Sequence, residues 1–262
     1  MTHGSARSQI FVEIDEYLHH LREKRCNRFS RRVSLWRHED YKYSAPNGAE
    51  KRMIARQTSE SLIQAADIVT KGGVIAFRTD TFYGLGADPF NREAVKQIKQ
   101  LKGREENKPI LIVISDLDEV ERFITEVSTA FAALAKRFWP GPLTLIGKAD
   151  PDLPDEITAG TKTVGVRLPN DDKVRALVRG CGGALTATSA NPSHAAPARN
   201  AQAVQNYFGD AIGLIVDDGE ATSGQPSTVV DVRSEEPRLI REGVIPWSEI
   251  QSATGSSPFG RG

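Results

Sequence analysis

The sequence contains two cysteines in 262 residues, Cys26 and Cys181, and they do not form a C-x-x-C pair. This spacing indicates neither a cysteine-based metal site nor a redox motif. No stretch approaches the roughly 20 consecutive apolar residues of a membrane span, and the N-terminus lacks the apolar core of a secretory signal. We therefore expect a cytoplasmic protein that does not bind a membrane.

The formal net charge is zero, because 34 Lys and Arg balance 34 Asp and Glu, but the charged residues are distributed unevenly along the chain. Residues 1–56 hold 12 basic and 7 acidic side chains, which leaves 22 and 27 in the remainder. A basic arm can contact RNA phosphates, and a solvated tail or a misassigned start codon accounts for the same excess. We predict an N-terminal extension over 1–56, a folded domain over 57–250 and a flexible tail over 251–262.

Helical and strand patterns alternate from residue 58 onward. A capped helix ending at Gly72-Gly73 precedes a buried apolar strand, Val74 to Phe77, and a helix starting at Asn91 precedes a strand at Ile110 to Ile114. Further strands are predicted at 143–146, 164–167, 184–188, 212–216, 227–232 and 239–241, and further helices at 126–138, 172–179 and 200–208. This alternation predicts a single α/β domain with one twisted sheet, mixed because several linkers are too short for parallel crossovers.

Polar residues follow the first buried strand, in the segment Arg78-Thr79-Asp80-Thr81-Phe82-Tyr83-Gly84-Leu85-Gly86. Ligands of α/β sheets bind at the carboxyl ends of strands, so this segment is a candidate binding site. A polar turn that only caps the strand is the alternative interpretation. For Asp80, turn capping is favoured over an outer-sphere magnesium contact.

Four cations lie close together around the end of the second helix: Lys99, Lys102, Arg104 and Lys108. Lysine is a compact point charge and arginine a two-pronged donor, so this cluster suits phosphates or a carboxylate. A helix whose C-terminus is decorated with lysine is the alternative. The sequence contains neither G-x-x-x-x-G-K-[ST] nor a Rossmann G-x-G-x-x-G, so nucleotide binding would use another scheme.

Small polar groups recur in two later segments, Thr186-Ala187-Thr188-Ser189-Ala190-Asn191 and Pro226-Ser227-Thr228, and Arg241 ends the last predicted strand. Small side chains allow a ligand to approach the backbone closely. The segment Trp139-Pro140-Gly141-Pro142-Leu143-Thr144 leads into another predicted strand, and its prolines stiffen this loop. One interpretation is that the loop forms the wall of a pocket. The alternative is a rigid turn with a core tryptophan.

Taken in order, these segments resemble the YrdC-like family of L-threonylcarbamoyladenylate synthases, whose motifs are P-T-[DE]-T-x-Y-G-L, K-x-R, W-P-G-P-x-T, S-A-N and P-S-T. The resemblance spans roughly residues 58–250 and implies a YrdC-like α/β fold with a concave active-site face. Only about a dozen residues follow Ile250, so the single-domain form is expected. The implied activity joins bicarbonate, L-threonine and ATP into threonylcarbamoyl-AMP with release of pyrophosphate.

The resemblance also implies roles for individual residues. Catalysis would fall to Lys102, Arg104, Ser189 and Asn191, and ATP binding to these four with Pro140 and Arg241. Threonine binding is implied for Thr79, Thr81, Tyr83, Lys108, Thr144 and Ser227. Magnesium would arrive with ATP, and the product would pass to a tRNA threonylcarbamoyl transferase complex.

Three positions depart from the family pattern: Arg78 and Glu105 stand where proline is usual, and His194 where glycine is usual. Arg78 adds a cation that would alter substrate or nucleotide preference, whereas His194 is expected to be an exposed loop residue rather than a catalyst. Weak tRNA or double-stranded RNA binding is a further expectation. The alternative function is an RNA-binding paralogue without synthase activity, suggested by the basic arm, by the family's concave basic surface and by the departures at Arg78 and His194. A carbamoyl-transfer domain of the hydrogenase-maturation type is less favoured, because such domains sit within longer chains with zinc-finger cysteines.

Overall fold

The computed structural model describes residues 54–103, 108–221 and 223–255. The strands are β1 (Ile54–Arg56), β2 (Ile75–Arg78), β3 (Tyr83–Gly86), β4 (Ile112–Ile114), β5 (Leu143–Lys148), β6 (Thr163–Arg167), β7 (Ala184–Thr186), β8 (Thr188–Ser189), β9 (Leu214–Asp217), β10 (Thr228–Asp231) and β11 (Arg238–Arg241). The helices are α1 (Ser59–Thr70), α2 (Arg92–Lys102), α3 (Thr129–Phe138), α4 (Asp155–Thr158), α5 (Asp172–Gly180), α6 (Ala201–Phe208) and α7 (Trp247–Thr254). None of these described helices has the length and apolar character needed to cross a membrane.

The strands form two mixed sheets instead of the single sheet that the sequence predicted. The first has five strands in the order β1-β9-β2-β3-β8, and the second has six in the order β11-β10-β5-β6-β4-β7. The predicted strand 184–188 divides at Ala187, whose N–H donates to the carbonyl of Leu111 at 2.7 Å. Strand β7, which ends at Thr186, is an edge strand of the second sheet, and β8, which begins at Thr188, is an edge strand of the first. The predicted mixed α/β class is confirmed.

The helix ends follow the capping signals in the sequence. Thr58 and Ser61 form a reciprocal capping box at the start of α1. Asn91 caps α2 by accepting a hydrogen bond from the N–H of Ala94 at 3.1 Å. Gly103 caps the C-terminus of α2, and its φ of 56° is a left-handed conformation that suits glycine. Lys102, the last residue of α2, is therefore held at a defined position.

Strand β2 is buried on both faces, which explains its uninterrupted apolar sequence. Ile75 and Phe77 pack into a cluster that includes Ala65 and Val69 of α1. Ala76 points to the larger core, which fills the space around both sheets. Burial on both sides fixes the position of the carboxyl end of β2.

The folded part extends beyond both predicted boundaries. Residues Ile54–Arg56, predicted to belong to the extension, form β1 and pair in parallel with β9. At the other end, α7 continues to Thr254, although the domain was predicted to end at 250. The rest of the predicted extension, 1–53, and the tail from 256 lie outside the described residues.

Candidate functional site

A cavity of about 330 Å³, called the central cavity below, opens between strand ends of the two sheets. Its volume lies at the lower end of the range typical of small-molecule sites. Ten of the twelve predicted site residues line it: Thr79, Thr81, Tyr83, Lys102, Lys108, Thr144, Ser189, Asn191, Ser227 and Arg241. The structure thus brings together segments that lie up to 162 residues apart, Thr79 to Arg241.

The turn between β2 and β3 forms one wall of the central cavity. Thr79 Oγ1 donates to the carbonyl of Phe82 at 2.7 Å and accepts from the N–H of Thr81 at 3.2 Å. The hydroxyl groups of Thr79 and Thr81 lie 3.1 Å apart, and both residues are buried. Thr79 therefore caps this turn, a role that the sequence analysis favoured for Asp80.

Arg167 at the end of β6 lines the same wall and was not predicted as a site residue. Its Nη2 forms an ion pair with Asp80, and its Nη1 donates to Thr81 Oγ1 at 3.4 Å. Burial lowers the pKa of Arg167, although Asp80 opposes that shift. A sequence signal existed, because a charged residue directly follows the apolar stretch Val164-Gly165-Val166 of this strand.

Adjacent strands of the second sheet bring three further polar residues together. Thr144 on β5 pairs in register with Val229 on β10, and Val229 pairs with Arg241 on β11. Thr144 Oγ1 and Ser227 Oγ lie 3.0 Å apart, and Arg241 Nη2 donates to the carbonyl of Ser227 at 3.0 Å. Burial and the positive charge of Arg167 lower the pKa of Arg241. Two guanidinium groups therefore face one part of the cavity.

Lys102 anchors the loop that carries Ser189 and Asn191. Its Nζ donates to the carbonyl of Ser189 and, at 2.7 Å, to the carbonyl of Asn191. Asn191 Nδ2 donates to the carbonyls of Pro192 and Ala195, at 2.9 Å and 2.8 Å, whereas its buried Oδ1 accepts no hydrogen bond within the described structure. The buried ammonium group of Lys102 thus orders this loop. Arg104, a predicted catalytic residue, and Glu105, a departure from the family pattern, lie outside the described residues.

Tyr83 lines the cavity, but its hydroxyl group is already engaged. It donates to the carbonyl of Gly219 at 2.8 Å and lies 3.1 Å from Asp217 Oδ1. Burial, with the negative charge of Asp217, raises the pKa of Tyr83 well above its usual range. The hydroxyl is therefore neutral and anchors strand β3 to the segment that follows β9.

Arg78, the first departure from the family pattern, does not line the central cavity. Its Nη2 lies 2.6 Å from Asp171 Oδ2 and 2.7 Å from Asp218 Oδ2. The cation that Arg78 adds at this strand end is therefore not part of the cavity wall. Two carboxylates neutralise it and join β2 to the N-cap of α5 and to the segment after β9.

Pro140 also does not line the cavity, and its side chain is exposed. The neighbouring Trp139 is a core residue, and its Nε1 donates to the carbonyl of Leu143 at 2.7 Å. The segment therefore has both predicted features: Trp139 packs in the core, and Thr144 at its end lines the cavity. Nothing in the described geometry brings Pro140 to a ligand.

The charge of the cavity wall is positive. Lys102, Lys108, Arg167 and Arg241 line the cavity, and no aspartate or glutamate is among the described residues that line it. The described residues also contain no group of three His, Cys, Asp or Glu side chains able to hold a metal ion. Because low-dielectric walls of one charge sign concentrate the opposite sign, this cavity suits an anionic ligand.

Comparison with known proteins places these residues in a family context. The family model Sua5/YciO/YrdC, described as "Telomere recombination", matches residues 67–243. The threonylcarbamoyl-AMP synthase of Pyrococcus abyssi is 38% identical over 191 residues, which cover 73% of this chain and 56% of that protein. The enzyme of the same name from Marinobacter nauticus is 36% identical over 183 residues, which cover 68% of this chain and 96% of that protein. This chain therefore spans little more than half of the Pyrococcus relative.

The solved structure of P. abyssi Sua5 in complex with L-threonine is similar in fold. Its TM-score is 0.73 at 36% sequence identity, and the match covers 78% of this chain and 60% of that chain. The family prediction drawn from five ordered motifs is confirmed.

Proposed function

The chain belongs to the Sua5/YciO/YrdC family, and from this premise we propose that it is an L-threonylcarbamoyladenylate synthase. The reaction would join L-threonine, bicarbonate and ATP into threonylcarbamoyl-AMP and release pyrophosphate. The relatives named above carry the name of this activity, and one was solved with L-threonine bound.

The observation that carries the proposal is the combination of four cations with neutral hydroxyl groups in one cavity. ATP and the carboxylate of threonine are both anionic, and each is recognised by lysine and arginine. The wall contains no acidic residue among those described, so these ligands meet no repulsion there. Hydroxyl groups of Thr79, Thr81, Thr144 and Ser227 supply neutral hydrogen-bonding partners for an amino acid.

We assign the two substrates to different parts of the wall. Threonine would contact the β2–β3 turn and the Thr144–Ser227 pair, with Arg167 as a partner for its carboxylate. The nucleotide phosphates would contact Lys102, Ser189 and Arg241. Arg104 and Lys108 complete the proposed set, and Tyr83 acts on the site through the position of β3 rather than through its hydroxyl group.

The chemistry then requires positioning and charge neutralisation more than proton transfer. The amine of threonine combines with bicarbonate to give a carbamate and water. A carbamate oxygen attacks the α-phosphorus of ATP, the bond to the β-phosphate oxygen breaks, and pyrophosphate leaves with the electron pair. Because the nucleophile is already an anion, no dedicated general base is needed.

Magnesium would enter with ATP and neutralise charge on the phosphates. The described wall offers hydroxyl groups but no carboxylate, and Asp80 is already paired with Arg167, so the phosphates of ATP would supply most of the oxygen ligands of magnesium. The product would pass to a tRNA threonylcarbamoyl transferase complex in the cytoplasm.

The test is pyrophosphate release measured with each substrate omitted in turn. We expect release only when ATP, L-threonine and bicarbonate are all present. Lys102→Ala and Arg104→Ala should each lower turnover by roughly 100-fold or more, as expected when a key charge-stabilising donor is removed. Lys96→Ala is a matched control, because Lys96 lies on the same helix in an exposed pair with Glu93 and should retain normal turnover. Release that does not depend on threonine and bicarbonate would refute the assignment.

The alternative, an RNA-binding paralogue without synthase activity, is tested with the same protein. It would bind tRNA with strong salt dependence and show no turnover. The departure at Arg78 supports this alternative less than a free cation would, because two carboxylates pair with its guanidinium group.

A further inference from the structure

We propose that His194 contacts a phosphate of the bound nucleotide, an inference that rests on the proposed function. His194 lines the central cavity, is exposed, and has a φ of 69°. This left-handed conformation brings Cβ close to the following carbonyl oxygen in any residue other than glycine. A side chain placed at such a cost beside a binding cavity points to a use for that side chain.

Two other non-glycine residues with positive φ provide a comparison within the described structure. Ala159 has a φ of 51° and Lys162 a φ of 54°, and neither lines the central cavity. Ala159 is the left-handed cap of α4, where such geometry commonly ends a helix. His194 is instead the third residue of a turn that the Ala195 N–H closes by donating to the Pro192 carbonyl at 3.1 Å, and glycine is the unstrained choice at such a position.

The turn that carries His194 is held on several sides. Asn191 Nδ2 bonds to the carbonyls of Pro192 and Ala195, which flank His194, and the N–H of Ser193 donates to the carbonyl of Lys102 at 2.8 Å. The backbone at His194 therefore cannot relax without disturbing the loop anchored by Lys102. This over-determined geometry keeps the imidazole at the rim of the cavity.

The surroundings of His194 indicate what it would bind. Its imidazole makes no hydrogen bond within the described residues, so an N–H remains available as a donor. The charged side chains known to line the cavity are all positive, which favours an anionic ligand. His194 lies five residues after Ser189 in the same loop. Because the proposed function assigns Ser189 to the nucleotide phosphates, His194 would lie closer to the phosphates than to threonine. A phosphate oxygen is the acceptor that we assign to this imidazole.

The experiment measures binding of ATP and of L-threonine separately by calorimetry. His194→Ala removes the ring but keeps the left-handed strain, and His194→Gly removes both. We expect ATP binding to weaken in both variants by roughly tenfold to a hundredfold, the effect of losing a hydrogen bond to a charged partner. Threonine binding should stay within about twofold. The melting temperature should rise in His194→Gly relative to His194→Ala.

Ala159→Gly is the control for strain relief away from the cavity, and it should leave both affinities unchanged. Unchanged ATP affinity in both His194 variants would overturn the proposal, as would a wild-type protein that does not bind ATP. Failure of the proposed function is a separate result. Weakened ATP binding in a protein without threonine-dependent turnover would reject the synthase alone, whereas normal turnover with unchanged ATP affinity would reject the role of His194 alone.

Discussion

Arg78 and Arg167 each end a strand and each pair with carboxylates, but only Arg167 lines the central cavity. Arg78 bridges Asp171 and Asp218, and Lys173 also bonds to Asp218. This group holds two positive and two negative charges and is balanced.

Arg167, by contrast, shares the single carboxylate of Asp80 and lies close enough to Arg241 for their charges to interact. That group has two positive charges and one negative charge, so it retains a net positive charge. The balanced group joins β2, α5 and the segment after β9, whereas the unbalanced group faces the cavity. We infer that the number of carboxylates around each arginine separates the structural role of Arg78 from the binding role proposed for Arg167.

The largest expected effect follows from Arg167→Ala. Turnover should fall by roughly 100-fold or more, because a cation that faces the substrate is lost. Stability should also fall by about 3 kcal/mol, because the part-buried carboxylate of Asp80 loses its partner. The double variant Arg167→Met with Asp80→Asn should recover most of the stability and none of the turnover, measured by urea unfolding and pyrophosphate release. Near-normal turnover in the double variant would contradict a binding role for Arg167.

Arg78→Ala should produce the opposite pattern. We expect a loss of about 2 kcal/mol in the free energy of unfolding, between the values for exposed and buried pairs, and turnover within about threefold of wild type. Lys71→Ala is the control, because Lys71 pairs with Asp67 at an exposed position and should change stability little. If Arg78→Ala instead lowered turnover at unchanged stability, the proposed division between the two arginines would be wrong.

The smallest expected effect concerns acid stability. Burial opposes the charged form of Asp218, but the hydrogen bonds from Lys173 and Arg78 outweigh it and lower the pKa of this carboxyl group. A lowered folded-state pKa contributes stability above the unfolded-state pKa of about 3.9, and the contribution is lost as the pH falls through the folded-state pKa. Asp218→Asn should therefore be less stable than wild type at pH 7, by less than Arg78→Ala. Urea unfolding from pH 7 to pH 3 should show this difference shrinking, and a constant difference would rule out the linkage.

Much of the candidate site followed from local sequence. The hydroxyl-rich turn after β2, the lysine at the end of α2 and the Ser189–Asn191 segment are each continuous in the chain, so motifs and strand ends located them. Arg167 was overlooked because its partner Asp80 is 87 residues away in sequence. The pairing of Arg78 was not predictable for the same reason, since its partners Asp171 and Asp218 are 93 and 140 residues away.

The sequence by itself determined the α/β class, the order of most elements, the helix caps and the family, because these depend on periodicity, on residues a few positions apart and on motif order. Only the tertiary structure decided that there are two sheets, that the chain passes from one to the other at Ala187, and which arginine faces the cavity. Those features depend on hydrogen bonds and ion pairs between distant segments. The sequence shows that a side chain is charged, but not whether opposite charges lie next to it. Its neighbours in the folded structure decide whether its charge is neutralised.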